Sequence, residues 1–68
     1  MFKINVIEDY TSNTIFNGDI DTFLEVNNYD EELEEILNQV NFSNSETFYI
    51  VWSGQKFIIE KEYEEIQE

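Results

Sequence analysis

The chain contains no cysteine, histidine, arginine, proline or alanine, and only two glycines. Without cysteine there is no disulfide to hold so short a chain together and no thiolate metal site. With histidine missing as well, neither a Ser–His nor a Cys–His nucleophile can be built. Gly18 and Gly54 stand far apart and form no phosphate-cradling loop. Positive charge is almost as scarce. Lys3, Lys56 and Lys61 face sixteen acidic residues, for a net charge of −13 over 68 residues. Phosphate binding needs Lys and Arg, so nucleic acid is excluded as a direct ligand. The same sign is repelled by anionic lipid. No apolar run reaches the length of a membrane span. The opening Met1-Phe2-Lys3-Ile4-Asn5 lacks the apolar region of a secretion signal. The expectation is a protein of a reducing cytoplasm, with no membrane partner and no cofactor.

What is present is enough for a core. Hydrophobic residues make up 41% of the chain and aromatics 16%, which argues against the disorder that high net charge otherwise brings. The length allows one acidic domain, residues 1–68. Its surface should be roughly 4500 Å², or about one net negative charge per ~350 Å². Solubility asks for less, a net charge of roughly 2–8 on a small domain. Eight Asn and nine Ile point to AT-rich coding, which should also supply Lys. Codon bias therefore accounts for the Asn and Ile but not for the missing Lys.

Alternation puts Phe2, Ile4 and Val6 on one face of a strand running from Phe2 to Glu8. Thr14-Ile15-Phe16 reads as a short antiparallel return that Asn17-Gly18 stops. Ile20, Phe23 and Leu24 then recur at helical spacing, with Asp19 or Asp21 available as a cap. A second helix begins at Asn28 or Asp30, and Asn28 with Glu31 has the spacing of a variant capping box. Leu33, Ile36, Leu37 and Val40 give it the clearest apolar stripe in the chain, over Asp30–Val40. Asn41 to Glu46 reads as a polar loop. Thr47 to Lys61 is a hairpin about the two-residue loop Ser53-Gly54 or a slightly longer one. The two-residue register sets Ile50 opposite Phe57 and Phe48 opposite Ile59, with Trp52 on that same face and Tyr49, Val51 and Ile58 on the other. Ile36, Leu37, Ile50 and Phe57 are expected to be nearly fully buried. Residues 62–68 read as a strand extension, a final helical turn or a frayed tail. The order β-β-α-α-β-β predicts an α+β domain: an antiparallel sheet with one or two helices packed on one face.

Carboxylates are the only abundant reactive groups, and no catalytic residue is expected. Glycosidases use carboxylate pairs, but so short a chain can hardly build the cleft that such chemistry needs. Asp19-Ile20-Asp21 begins like a calcium loop, yet Phe23 and Leu24 occupy positions that need a ligand and a glycine, so no metal site is expected. The strongest constellation is Asp30, Glu31, Glu32, Glu34 and Glu35 at the start of the second helix. Glu31 repels Glu34 and Glu35 by roughly 0.2–0.5 kcal/mol per pair, and no Lys at i+4 relieves it. The ordinary explanation is a solvated helix face, with acids favoured near the N-terminus by the dipole. The functional one is an array of carboxylates imitating DNA phosphates. Duplex DNA carries one charge per ~1.7 Å of axis, and a helix rises about 1.5 Å per residue. A second acidic set, Glu60, Glu62, Glu64, Glu65 and Glu68, reads as protection of a sheet edge or, from Glu60 to Glu65, as part of the same interface. Asp9 with Tyr10, and Tyr29 with Asp30, set aromatics beside acids, as interface anchors or as partly buried core.

In length, AT-rich coding, Lys depletion and acidic segments such as Asp30 to Glu35, the chain resembles small phage-encoded inhibitors of host nucleic-acid enzymes. That group includes DNA mimics, anti-restriction proteins and anti-CRISPR proteins of Gram-positive phages. The resemblance is one of composition over the whole chain, without an alignable motif, and no residue role is carried over from it. It implies an inhibitor that occupies the basic nucleic-acid channel of a host nuclease, glycosylase or restriction enzyme. The other reading is a phage or mobile-element accessory protein, a protein-interaction module whose charge serves solubility. Salt separates the two, because a phosphate mimic loses affinity as salt rises and an apolar interface does not. The sequence leaves open whether the chain is a monomer or a dimer.

Overall fold

A computed structural model describes residues 2–63. Its elements are β1 (Phe2–Glu8), β2 (Thr14–Gly18), α1 (Ile20–Val26), α2 (Glu31–Phe42), β3 (Thr47–Trp52) and β4 (Gln55–Tyr63). The four strands form one antiparallel sheet in the order β2-β1-β4-β3. The α+β architecture and the element order follow the sequence pattern. Strands β1 and β4 lie side by side at the centre, where Ile4, Val6, Phe57 and Ile59 are all buried.

Both helices pack on one face. From the sheet, Ile4, Val6, Phe57 and Ile59 point into the core; from the helices, Phe23, Leu33, Leu37 and Val40 meet them. A line of aromatic rings crosses this layer, with centroids 4.7 Å apart from Phe16 to Phe23, 6.4 Å from Phe23 to Trp52 and 5.9 Å from Trp52 to Phe57. Leu37 and Phe57 are buried as expected, but Ile36 and Ile50 are only half-buried. Ile50 belongs to β3, which has no strand beyond it among the described residues, and Ile36 lies on a flank of α2.

Several boundaries differ from the sequence reading. β2 continues through Asn17 to Gly18, whose bare Cα lies under the Phe16 ring, since a Cβ there would sit 3.1 Å from Phe16 Cζ. α2 runs on through Asn41 and Phe42, so the connecting loop starts at Ser43. Asp30 caps α2, accepting from the Leu33 N–H at 3.0 Å. Asn28 ends α1 instead: its positive φ of 59° lets its N–H reach Glu25 O and the Tyr29 N–H reach Leu24 O, a Schellman closure. Asp19 stands at the N-cap position of α1 without a side-chain capping bond. β4 extends to Tyr63, so residues 62 and 63 take the strand extension, the first of the three forms expected for residues 62–68, and residues 64–68 lie outside the described residues. No helix among the described residues is long and apolar enough to cross a membrane.

Among the described residues, the other face of the sheet carries no helix. Row by row it presents Lys3 beside Glu62, Asn5 beside Glu60, Ile7 beside Ile58 and Tyr49, and Lys56 beside Val51.

Candidate functional site

The amphipathic pattern of α2 fixes the direction of its acids. Leu33, Leu37 and Val40 are buried, which leaves Glu31, Glu32, Glu34 and Glu35 exposed on the outer surface of the helical layer. Three of them lie in the first turn, where unpaired N–H groups favour negative charge. Asp30 sits at the cap itself. It accepts from the Leu33 N–H and, at 3.2 Å, from the Trp52 Nε1–H, so α2 is pinned to the end of β3. The Leu33 bond, and then the Trp52 bond, hold the Asp30 carboxyl below the ordinary aspartate range.

The neighbourhood extends this pattern. Every charged residue from Asp19 to Glu46 is acidic, and each of those side chains is exposed. The three lysines lie elsewhere. Alternation along β1 and β4 puts Lys3 and Lys56 on the helix-free face. Lys61 shares the core face with Phe57 and Ile59 and points toward the helices, but it is buried. Its Nζ donates to the Ser43 carbonyl at 2.6 Å and lies 4.8 Å from the Phe2 ring centroid and 5.6 Å from that of Phe48. Among the described residues, the outer surface of the helical layer is therefore an array of carboxylates with no exposed Lys. Chemically it can accept hydrogen bonds from Lys and Arg and attract a positive surface.

The sheet keeps the second acidic set away from the first. Glu60 and Glu62 point to the helix-free face, where Asn5 donates to Glu60 at 3.5 Å and Asn17 to Glu62 at 3.2 Å. Glu64 and Glu65 lie outside the described residues. Of the residues singled out from the sequence, Asp30, Glu31, Glu32, Glu34 and Glu35 come together, and Glu60 and Glu62 stand on the opposite side. Tyr10 and Tyr29 are exposed rather than part of the core. Asp19 and Asp21 fall at a helix start instead of a chelating loop, and among the described residues no three side chains of metal-ligating type converge. The sequence reading missed the role of Lys61, although its place two residues after Ile59 in a core-facing alternation is the signal that would have found it.

No protein-family model matches the chain, and no curated protein or solved structure matches it either.

Proposed function

We propose that the protein is a phage-encoded inhibitor, of the anti-CRISPR or DNA-mimic kind, that seats its acidic helical face in the basic nucleic-acid channel of a host enzyme. It acts in the bacterial cytoplasm as a binding protein, without catalysis or cofactor. One observation carries this reading: negative charge is gathered on the helical layer, while the lysines face the other way or are buried. Charge that served solubility alone would need no such segregation, since a modest net charge with both signs interspersed is enough to disperse a small domain. Repulsion among neighbouring carboxylates is tolerated because a basic partner relieves it. Such a field mainly accelerates encounter and selects the partner, and a few apolar contacts complete the complex.

The test is capture from an extract of a bacterial host on immobilised protein, beside the double variant Glu31→Lys and Glu34→Lys. Both positions are exposed, so the fold should survive. The reading expects a nucleic-acid-binding enzyme on the wild-type resin, released by salt and absent from the variant resin. Equal capture by both resins, insensitive to salt, would favour the interaction-module account.

A further inference from the structure

The hairpin exposes a second feature of a different kind. Ser53 and Gly54 both have positive φ, 53° and 75°, the two-residue turn that closes on a hydrogen-bonded pair, here Trp52 with Gln55. The Lys61 N–H donates to the Glu46 carbonyl at 2.8 Å, in phase with that closure. The antiparallel alternation then assigns the β4-directed bonds to residues 46, 48, 50 and 52. The N–H and C=O groups of Thr47, Tyr49 and Val51 point away from β4, to an edge that no strand covers among the described residues.

This edge lacks the usual protection against pairing. The segment Thr47–Trp52 has no charge and no proline, and its ladder to β4 has no bulge. The opposite edge, β2, is blunted by a register shift at Val6/Ile7. Beside the free β3 groups, Tyr49 and Val51 are 80% and 63% exposed, and Ile58 continues the apolar row. Above the same edge lies the acidic helix. Asn38 and Asn41 face α1 across a shallow depression, so Glu32, Ile36 and Gln39 form the opposite flank of α2, on the β3 side. The Trp52–Asp30 bond holds the first turn of α2 over the hairpin end of β3.

We propose that the free edge of β3 takes an extended basic segment of the partner as a fifth strand, its Lys and Arg side chains set against Asp30 and Glu32. The proposal rests on the reading that the partner is basic, and it supplies the directional contact that an acidic face alone does not. Charge complementarity also decides against a second copy as occupant. Pairing two β3 edges in a continuous sheet would put two α2 helices side by side on one face, flank to flank, with no exposed Lys in that layer among the described residues.

Amide hydrogen exchange on the full chain tests it, with a short peptide of alternating Lys and Val as probe and its Glu–Val counterpart as control. In the free protein the amides of Thr47, Tyr49 and Val51 should exchange fast and those of Phe48 and Ile50 slowly. The Lys–Val peptide should slow the first three and the Glu–Val peptide should not. Val51→Pro removes an outward N–H that the β4 ladder does not use, so the fold should stand and the Lys–Val peptide should bind about tenfold more weakly. Absence of Lys–Val binding, or equal protection by the Glu–Val peptide, overturns the proposal. Protection that grows with protein concentration alone does so too, by indicating a second copy. If the Lys–Val peptide binds without protecting these amides and is lost in the Glu31→Lys, Glu34→Lys variant but not in Val51→Pro, the edge proposal falls and the acidic-face reading stands.

Discussion

Lys61 is a cation spent on the fold. Its Nζ satisfies the carbonyl of Ser43, the residue that closes α2, while its ammonium lies between the Phe2 and Phe48 rings. Removing it leaves a partly buried carbonyl without its charged donor. Lys61→Met, which keeps most of the stem, should lower stability by about 1.5–3 kcal/mol, the range for hydrogen bonds to charged groups. Urea unfolding measures this, and an unchanged midpoint would mean that the bond contributes nothing. Asp30 gives a pH signature. Its carboxyl is held below the ordinary range by the Leu33 and Trp52 bonds, so its ionised form favours the fold. That contribution is complete above the unfolded value of about 3.9 and disappears as pH falls through the lower folded value. Asp30→Ala should therefore melt earlier than wild type at pH 7, and the gap should close below about pH 4. Thermal melts of the two proteins across that range check it; a gap that persists in acid would assign the effect to something other than the carboxylate. The capping role of Asp30 was only half legible in the sequence, because Asn28 offers the same chemistry and an equally good spacing to Glu31. What excludes Asn28 is the left-handed closure of α1, which uses its backbone and so removes it from the start of α2.

At the scale of elements, periodicity did most of the specifying. The hairpin register follows from the two-residue turn, and the α2 stripe from four apolar residues at helical spacing. Leu37→Ala should cost about 2–5 kcal/mol, the range for a truncated core leucine. Ile36→Ala should cost clearly less, since Ile36 is only half-buried on the flank over β3. Parallel denaturation curves decide it, and equal losses would show that the two positions share one environment. What periodicity did not carry was where elements stop. Phe42 is 83% exposed and adds nothing to the stripe, yet it extends α2. The parting of Glu60 and Glu62 from the α2 acids was legible in the alternation of β4, which sets both residues on the side away from Phe57 and Ile59, whose face is the one on which the helices pack.

For the whole molecule, the segregation of charge has two consequences. Self-repulsion on the helical layer is screened by salt, so added NaCl should raise the melting temperature, and Glu31→Lys with Glu34→Lys should reduce that dependence. A salt-independent melting curve would mean that the acids are too well solvated to strain the fold. The second consequence is functional. The acidic surface became legible as a surface only in three dimensions: the sequence gives the count of acids, and the fold gathers those from Asp19 to Glu46 on one side and turns or buries every Lys away from them. The central claim is that this side occupies the place of DNA on its partner. The most direct measurement is competition on the captured enzyme, following the anisotropy of a labelled duplex as the protein is added. The account predicts that the protein displaces the duplex, that excess duplex displaces the protein, and that added salt weakens the protein's binding steeply. A ternary complex in which enzyme, duplex and protein bind together without mutual loss of affinity would contradict it.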